Sequence, residues 1–329
     1  MKKREGEIMK KSIVLFILMA LALFVLCACF GIGPIPESIE IQGEGIYTDK
    51  SENLDLIGRN LTSSDIEELK YMQLITGMWL GDNRLDNVSG LKKLTGLTVL
   101  DLFNNQIIDI KALKNMKKLT FLDLRNNQVS NISALKNMKN LTELRLSDNQ
   151  VGNISALKKM AKLETLWLSG NQVSNVSALK NLKTLRYLDL TGNQISDIKA
   201  LKDLTALWQL YLGNNKISDV SALKDMKALK ELELAGNQIS DVSALKDLNA
   251  LTYLGLGGNR ISSLQAWEEP EEEILKELMD LDLSHNQISN INALKNLTTL
   301  ENLNLTGNPL TTAQVNELSD ALPNCLIKF

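Results

Sequence analysis

Leu141 to Lys162 reads LTELRLSDNQVGNISALKKMAK, and Leu163 to Thr184 reads LETLWLSGNQVSNVSALKNLKT on the same template. A unit of 22 residues has ended and begun again. A fixed period of this length sets the architecture before any other feature is weighed. The template is L-x-x-L-x-L-x-x-N-x-(I/V)-x-x-(I/V)-x-A-L-x-x-(L/M)-x-x. Its asparagine recurs at Asn83, Asn105, Asn127, Asn149, Asn171, Asn193, Asn215, Asn237 and Asn259, always 22 apart. It returns at Asn286 after a five-residue excess and at Asn308 after another 22, which makes eleven clear units. A weaker unit, LDLIGRNL with Asn60, precedes them at a spacing of 23.

Leu144 and Leu146 alternate with period two, so both point one way and the residues between them point the other. One such strand cannot bury its leucines alone, whereas stacked copies can. The asparagine turns the chain out of the strand, where its amide can satisfy the turn's backbone groups and those of the next coil. Ile154, Leu157 and Met160 close the coil from the far side as a short extended or 3₁₀ segment. The expected fold is an α/β-type solenoid. A parallel sheet lines one side, short 3₁₀ or extended segments line the other, and a cap covers each end, because an end coil has no neighbour.

Met1 to Lys11 is basic and Ile13 to Ile32 carries no charge, the layout of a secretory signal. Leu26-Cys27-Ala28-Cys29 resembles the lipobox of bacterial lipoproteins, which implies a signal peptide over 1–28, cleavage before Cys29 and acylation of that cysteine. An uncut anchor and a plain secreted chain stay open, since about 20 apolar residues span a bilayer. Lysines on the leading side give all three the same orientation, with the repeats outside the cytoplasm. Cys27, Cys29 and Cys325 are the three cysteines, so the mature domain has no disulfide and no zinc set.

Residues 29–37 form a short tether, and 38–74 a hairpin-like cap with the degenerate first unit. The array covers 75–310. One irregularity interrupts it: after Ile261 the template calls for Ala-Leu-Lys, and the chain gives Ala266-Trp267-Glu268, then Glu269 to Glu273 around Pro270. This acidic excess falls on the convex return and is read as a solvated bulge, with a second contact site as the sharper alternative. Residues 311–329 form a C-terminal helical cap: Thr311 with Gln314 makes a capping box, Val315, Leu318 and Leu322 share one face, and Pro323 stops the helix. Neither a wall-sorting motif nor a second domain is expected after it.

The outward strand positions lie six, four and two residues before each asparagine and form three columns on the concave face. They hold Trp79, Phe103, Phe121, Trp167, Tyr187, Tyr211 and Tyr253, seven of the 13 aromatics outside the leader. Strand propensity favours aromatics on any pleated surface, but aromatics ranged along one face also serve as interface anchors. Eight carboxylates share the columns with two guanidiniums, Arg125 and Arg145, which could pair a partner's carboxylates. The acidic excess calls for a neutral to basic partner and disfavours nucleic acid. The column nearest the asparagine is small from Ser147 onward, and with Gly255 and Gly258 it suggests a smooth floor for a partner backbone. The convex column of lysines after each Ala-Leu reads as a solvated face. His285 is the only histidine, so no fixed triad is implied, and no cofactor or metal is expected.

The units from Asn83 through Asn308 resemble the leucine-rich repeats of the internalin class of Gram-positive surface proteins. That resemblance implies a right-handed horseshoe with protein recognition on its concave side. The resulting expectation is a non-enzymatic, monomeric protein-binding module, lipid-anchored at Cys29 on the outer face of a bacterial cell membrane. The named aromatics, Arg125 and Arg145 would contact the partner. Binding of a glycan or cell-wall polymer by the same face is the alternative, because stacked aromatics also suit sugar rings.

Overall fold

A computed structural model describes residues 38–41, 44–47, 52–268 and 274–329. The leader, the tether and Glu269 to Glu273 therefore lie outside the described residues. The chain builds one sheet of thirteen parallel strands in strict sequence order, from Asn53–Asp55 at one edge to Leu326–Lys328 at the other. Each strand is three residues long, and its middle residue pairs with the middle residue of the next, as Leu144 does with Leu166 and Leu188 with Leu210. A separate antiparallel hairpin, Ser38–Ile41 with Glu44–Tyr47, stands before the first coil, with Ile39 and Ile41 buried.

A regular coil buries seven apolar side chains. In the Asn149 coil these are Leu144, Leu146, Val151, Ile154, Leu157, Met160 and Leu163. The convex side is a 3₁₀ turn, Ser155–Lys159 in that coil, and it starts on a fixed device. The side chain two residues before the turn's first N–H accepts from it, as Asn153 Oδ1 does from Ser155 N at 2.9 Å. The sheet lines the inner side of the open stack and the 3₁₀ turns line the outer side.

The ladder asparagines from Asn83 to Asn286 are buried, and each works as a four-way clip. Asn171 Oδ1 accepts from Val151 N at 2.8 Å, while its Nδ2 donates to Leu146 O, Leu168 O and Ser169 O at 2.9–3.1 Å. Val151 and Leu146 belong to the coil before, so the asparagine clips its own turn to the preceding coil rather than to the next one. The reason is geometric: the preceding strand's carbonyls and the N–H just after its turn are the groups left open beside it.

The residue before each ladder position takes a left-handed conformation: Gly58, Asp82, Asn104, Asn126, Asp148, Gly170, Gly192, Asn214, Gly236, Gly258, His285 and Gly307. Glycine enters this region freely, and Asn, Asp and His are the side chains that tolerate it best. Two sequence expectations change here. Asn60 is not the ladder residue of the first coil: the strand Asn53–Asp55 pairs with Gly77–Trp79 at an offset of 24, so Arg59 holds the ladder place, and Leu61 is the apolar residue two beyond it, its N–H donating to Asn83 Oδ1 at 2.9 Å. Gly258 serves the turn, not the concave floor.

The long coil keeps its register. Trp267 fills the place of the usual leucine, fully buried, with Nε1 donating to Val242 O at 3.4 Å. Leu275 and Leu278 resume the pattern before the strand Asp280–Asp282. At the end, the helix Thr312–Ala321 carries the full capping box on Thr311 and buries Val315 and Leu318 against the last coil. The C-terminal cap is not only helical: after Pro323 the chain adds the strand Leu326–Lys328 to the sheet. Its brevity, three residues with no second copy, hid it from pattern reading. Cys325 is free and half-buried, and burial raises its thiol pKa.

Candidate functional site on the concave face

The three-residue strands project two side chains each into the concave face, and the residue two before the asparagine adds a third. At the centre the aromatics touch. The rings of Trp167 and Tyr187 stack at 4.6 Å between centroids with 25° between planes, and Tyr187 meets Tyr211 at 5.5 Å in a tilted contact. Tyr211 donates its hydroxyl to Glu231. On the other side of Trp167 the run continues through guanidiniums. Arg145 lies 5.8 Å from the Trp167 ring and 5.1 Å from Phe121; Arg125 lies 5.9 Å from Trp167 and 5.1 Å from Phe103. These separations are within cation–π range. The run crosses six strands, about 24 Å at the usual strand spacing.

Both arginines are already engaged. Arg125 grips Asp123 through Nε at 2.9 Å and Nη2 at 2.6 Å. Arg145 Nε donates to Glu143 at 2.6 Å, and its Nη1 lies 3.5 Å from Asp123. Asp123 is only 1% exposed, which makes it the buried hub of the pair. The expectation of guanidiniums free for a partner's carboxylates thus meets internal acceptors: the ion pairs hold the arginines over the rings. Asp123 raises the pKa of Arg125 further by hydrogen bonding. Burial pushes Asp101 upward, opposed by the Phe103 N–H that donates to it at 2.9 Å.

Trp79 and Tyr253 stand apart from the run. The Trp79 ring folds back over Gly77, where a Cβ would strike it. Tyr253 donates to Glu233 Oε2 at 2.6 Å, and Glu233 Oε1 accepts from Ala235 N at 2.6 Å. This fixed carboxylate occupies the space above Gly255, and Asp282 occupies that above Gly257. The smooth floor read from the glycines is therefore covered by carboxylates, and glycine is what admits them. The C-terminal half of the trough is acidic, whereas the N-terminal half balances its charges internally. Burial, reinforced by neighbouring carboxylates, pushes the phenols of Tyr187, Tyr211 and Tyr253 well above their ordinary value.

Trp208 was missed by the three-column reading. It sits seven residues before its asparagine, at a position held by Thr76, Thr98, Thr120 and Thr142 in earlier coils. It is 48% exposed on the rim, with Arg186 at 4.9 Å over its ring. A lone tryptophan in a threonine column was the available signal. His285 occupies a left-handed turn beside Gly307, away from the concave columns. Among the described residues no group of side chains could hold a metal ion, and no helix is long and apolar enough to cross a membrane.

Family comparison agrees with this geometry. A model of leucine-rich repeats in two copies matches residues 75–115, 95–137, 117–159, 139–181 and 183–225, and a second leucine-rich repeat model matches 219–261; together they cover more than half of the chain. No curated protein matches it significantly. Among solved structures, an internalin (inlF) of Listeria monocytogenes is 29% identical over 87% of this chain and 89% of its own, with a TM-score of 0.72. Internalin C2 of the same organism is 33% identical, covers 59% of this chain and 84% of its own, and has a TM-score of 0.51. A plant peptide hormone receptor, RGFR1, in complex with RGF2, is 25% identical over 79% of this chain and 44% of its own, with a TM-score of 0.69.

Proposed function

The chain belongs to the leucine-rich repeat proteins, and from that premise we propose that it is a non-enzymatic protein-binding module whose concave face is the recognition surface. The observation that carries this reading is the continuous run from Phe103 through Arg125, Trp167 and Tyr187 to Tyr211. Rings held by stacking and by paired guanidiniums lose little freedom on binding, which is what an interface anchor needs. The acidic C-terminal half, with Glu233 and Asp282 fixed above glycines, favours a partner that is neutral to basic there. The lipobox-like run Leu26 to Cys29 supports a module outside the cytoplasm, lipid-anchored at Cys29, and its likeness to internalins and to a hormone receptor supports a surface location.

The test compares the full chain with a W167A/Y187A/Y211A variant as baits in envelope extract. Circular dichroism checks that both are folded. The reading expects a protein captured by the first and released by the second. Equal capture, or competition by purified wall polymer, would overturn it in favour of polymer binding or of another face.

A further inference from the structure

The convex face is not uniform. In the coils of Asn83, Asn105, Asn127, Asn149 and Asn171, the segments 89–97, 111–119, 133–141, 155–163 and 177–185 contain thirteen lysines and no carboxylate. Every one of these lysines is exposed. In the next three coils Asp203, Asp225 and Asp247 enter beside five lysines. On the other side, the turn Glu67–Tyr71 opens with Glu67 and Glu68. A delimited cationic patch therefore covers five coils of a chain whose formal net charge is −3.

The patch has little internal neutralisation. Lys111 pairs with Asp109 at 3.2 Å, and Lys162 donates to Asn140 Oδ1 at 2.9 Å. The 3₁₀ turns Lys111–Asn115, Ser133–Asn137 and Ser155–Lys159 present the lysines in adjacent rows. A shallow depression of about 410 Å³ between the first two coils is lined by Lys92, Lys111 and Lys114, with Ser89, Asn87 and the carboxylate of Asp109. Like charges held this close repel one another, so the arrangement gains most when an extended anionic surface lies against it.

We propose that the convex face of these five coils docks on an anionic lipid bilayer. Two observations select a bilayer among anionic partners. The patch is broad and begins one coil beyond the acidic first turn, in the half of the array that follows the basic and apolar leader, Met1 to Ile32. The nine residues from Cys29 to Pro36 and Glu37 can span about 30 Å, enough to let the first coils reach headgroups if the leader attaches there. Attraction to a charged surface fades within about 8–10 Å at ordinary salt, so only a face turned to the headgroups benefits. Docking in this way turns the concave trough away from the bilayer and leaves it open.

The experiment places the full chain with phosphatidylcholine vesicles, with or without phosphatidylglycerol. A water-soluble acetylating reagent is added, and each lysine is read by mass spectrometry. Acetylation of Lys114, Lys136 and Lys158 is expected to slow at least about threefold in the anionic vesicles and to recover in roughly 1 M salt. Lys202 and Lys224 should change little and serve as internal controls. In a K114E/K136E/K158E variant, exposed substitutions that leave the core alone, Lys117, Lys139 and Lys159 should be labelled alike in both vesicles. Identical labelling of the native chain in both vesicles would overturn the proposal. So would equal protection by inorganic polyphosphate in neutral vesicles, which would reassign the face to soluble polyanions.

Discussion

Asp123 and Arg125 sit two residues apart on one concave edge, and the guanidinium closes over the carboxylate with contacts of 2.6 and 2.9 Å. The carboxylate is nearly sealed from water, so its charge is met by arginine or by nothing. Arg145 adds a third contact at 3.5 Å. Asp123→Ala would leave two cations together over the rings with Glu143 as their remaining partner. The expected loss is about 1–3 kcal/mol of stability, the range for hydrogen bonds to charged groups at a part-exposed pair. Urea unfolding would read it, and an unchanged midpoint would show that the pair is dispensable.

Asn171→Ala removes one clip from the middle of the ladder. Val151 N loses its partner in a dry setting, while Leu146 O keeps the bond from Asn149 Nδ2 and Leu168 O the bond from Asn193 Nδ2. A loss of about 1–3 kcal/mol is expected, from one buried donor left unmet. Asn308→Ala should cost less, because Asn308 is only part-buried and closes the last turn. Comparing the two by urea unfolding tests whether the clip or the side-chain volume matters.

His285→Gly is expected to stabilise the fold by up to about 1 kcal/mol, since a β-carbon at a left-handed position is strained. Gly236→Ala should do the reverse and exceed that size, because the added carbon also meets the Asn214 side chain. Thermal unfolding of the two variants should move in opposite directions.

Tyr187, Tyr211 and Tyr253 resist ionisation in the folded protein. Their folded pKa lies above the unfolded value of about 10, so they contribute stability that is complete below that pH and declines as pH rises past it. Ultraviolet titration should show phenolate appearing late, together with loss of helical and strand signal. A Y187F/Y211F/Y253F variant should lose the late phase; early phenolate in the native chain would contradict the burial argument.

The period, the strand, the convex turn and the ladder were legible in the sequence because each coil repeats the same solution, so noise in one copy is corrected by the others. Asn60 misled for the opposite reason: a single degenerate copy offered an asparagine one place past the ladder position, and only the strand pairing and the hydrogen bond from Leu61 show that Arg59 stands there. The strand Leu326–Lys328 had no second copy at all. At the concave face, the column of each aromatic could be read, but not its neighbour. Whether Arg125 turns toward solvent or toward Asp123 depends on rotamers across adjacent coils, which no column position encodes. Trp208 lay outside the columns altogether.

Strict sequence order in the sheet also decides how the molecule would respond to force. Each coil is held by the coil before it and the coil after it, so tension applied between the two ends meets the interfaces one at a time. A coil released from the end would lengthen the chain by about 70 Å, being 22 residues drawn out from a single strand spacing. The molecule is in that sense a ratcheted tether: a partner gripping the trough would be pulled away in discrete steps rather than in one rupture.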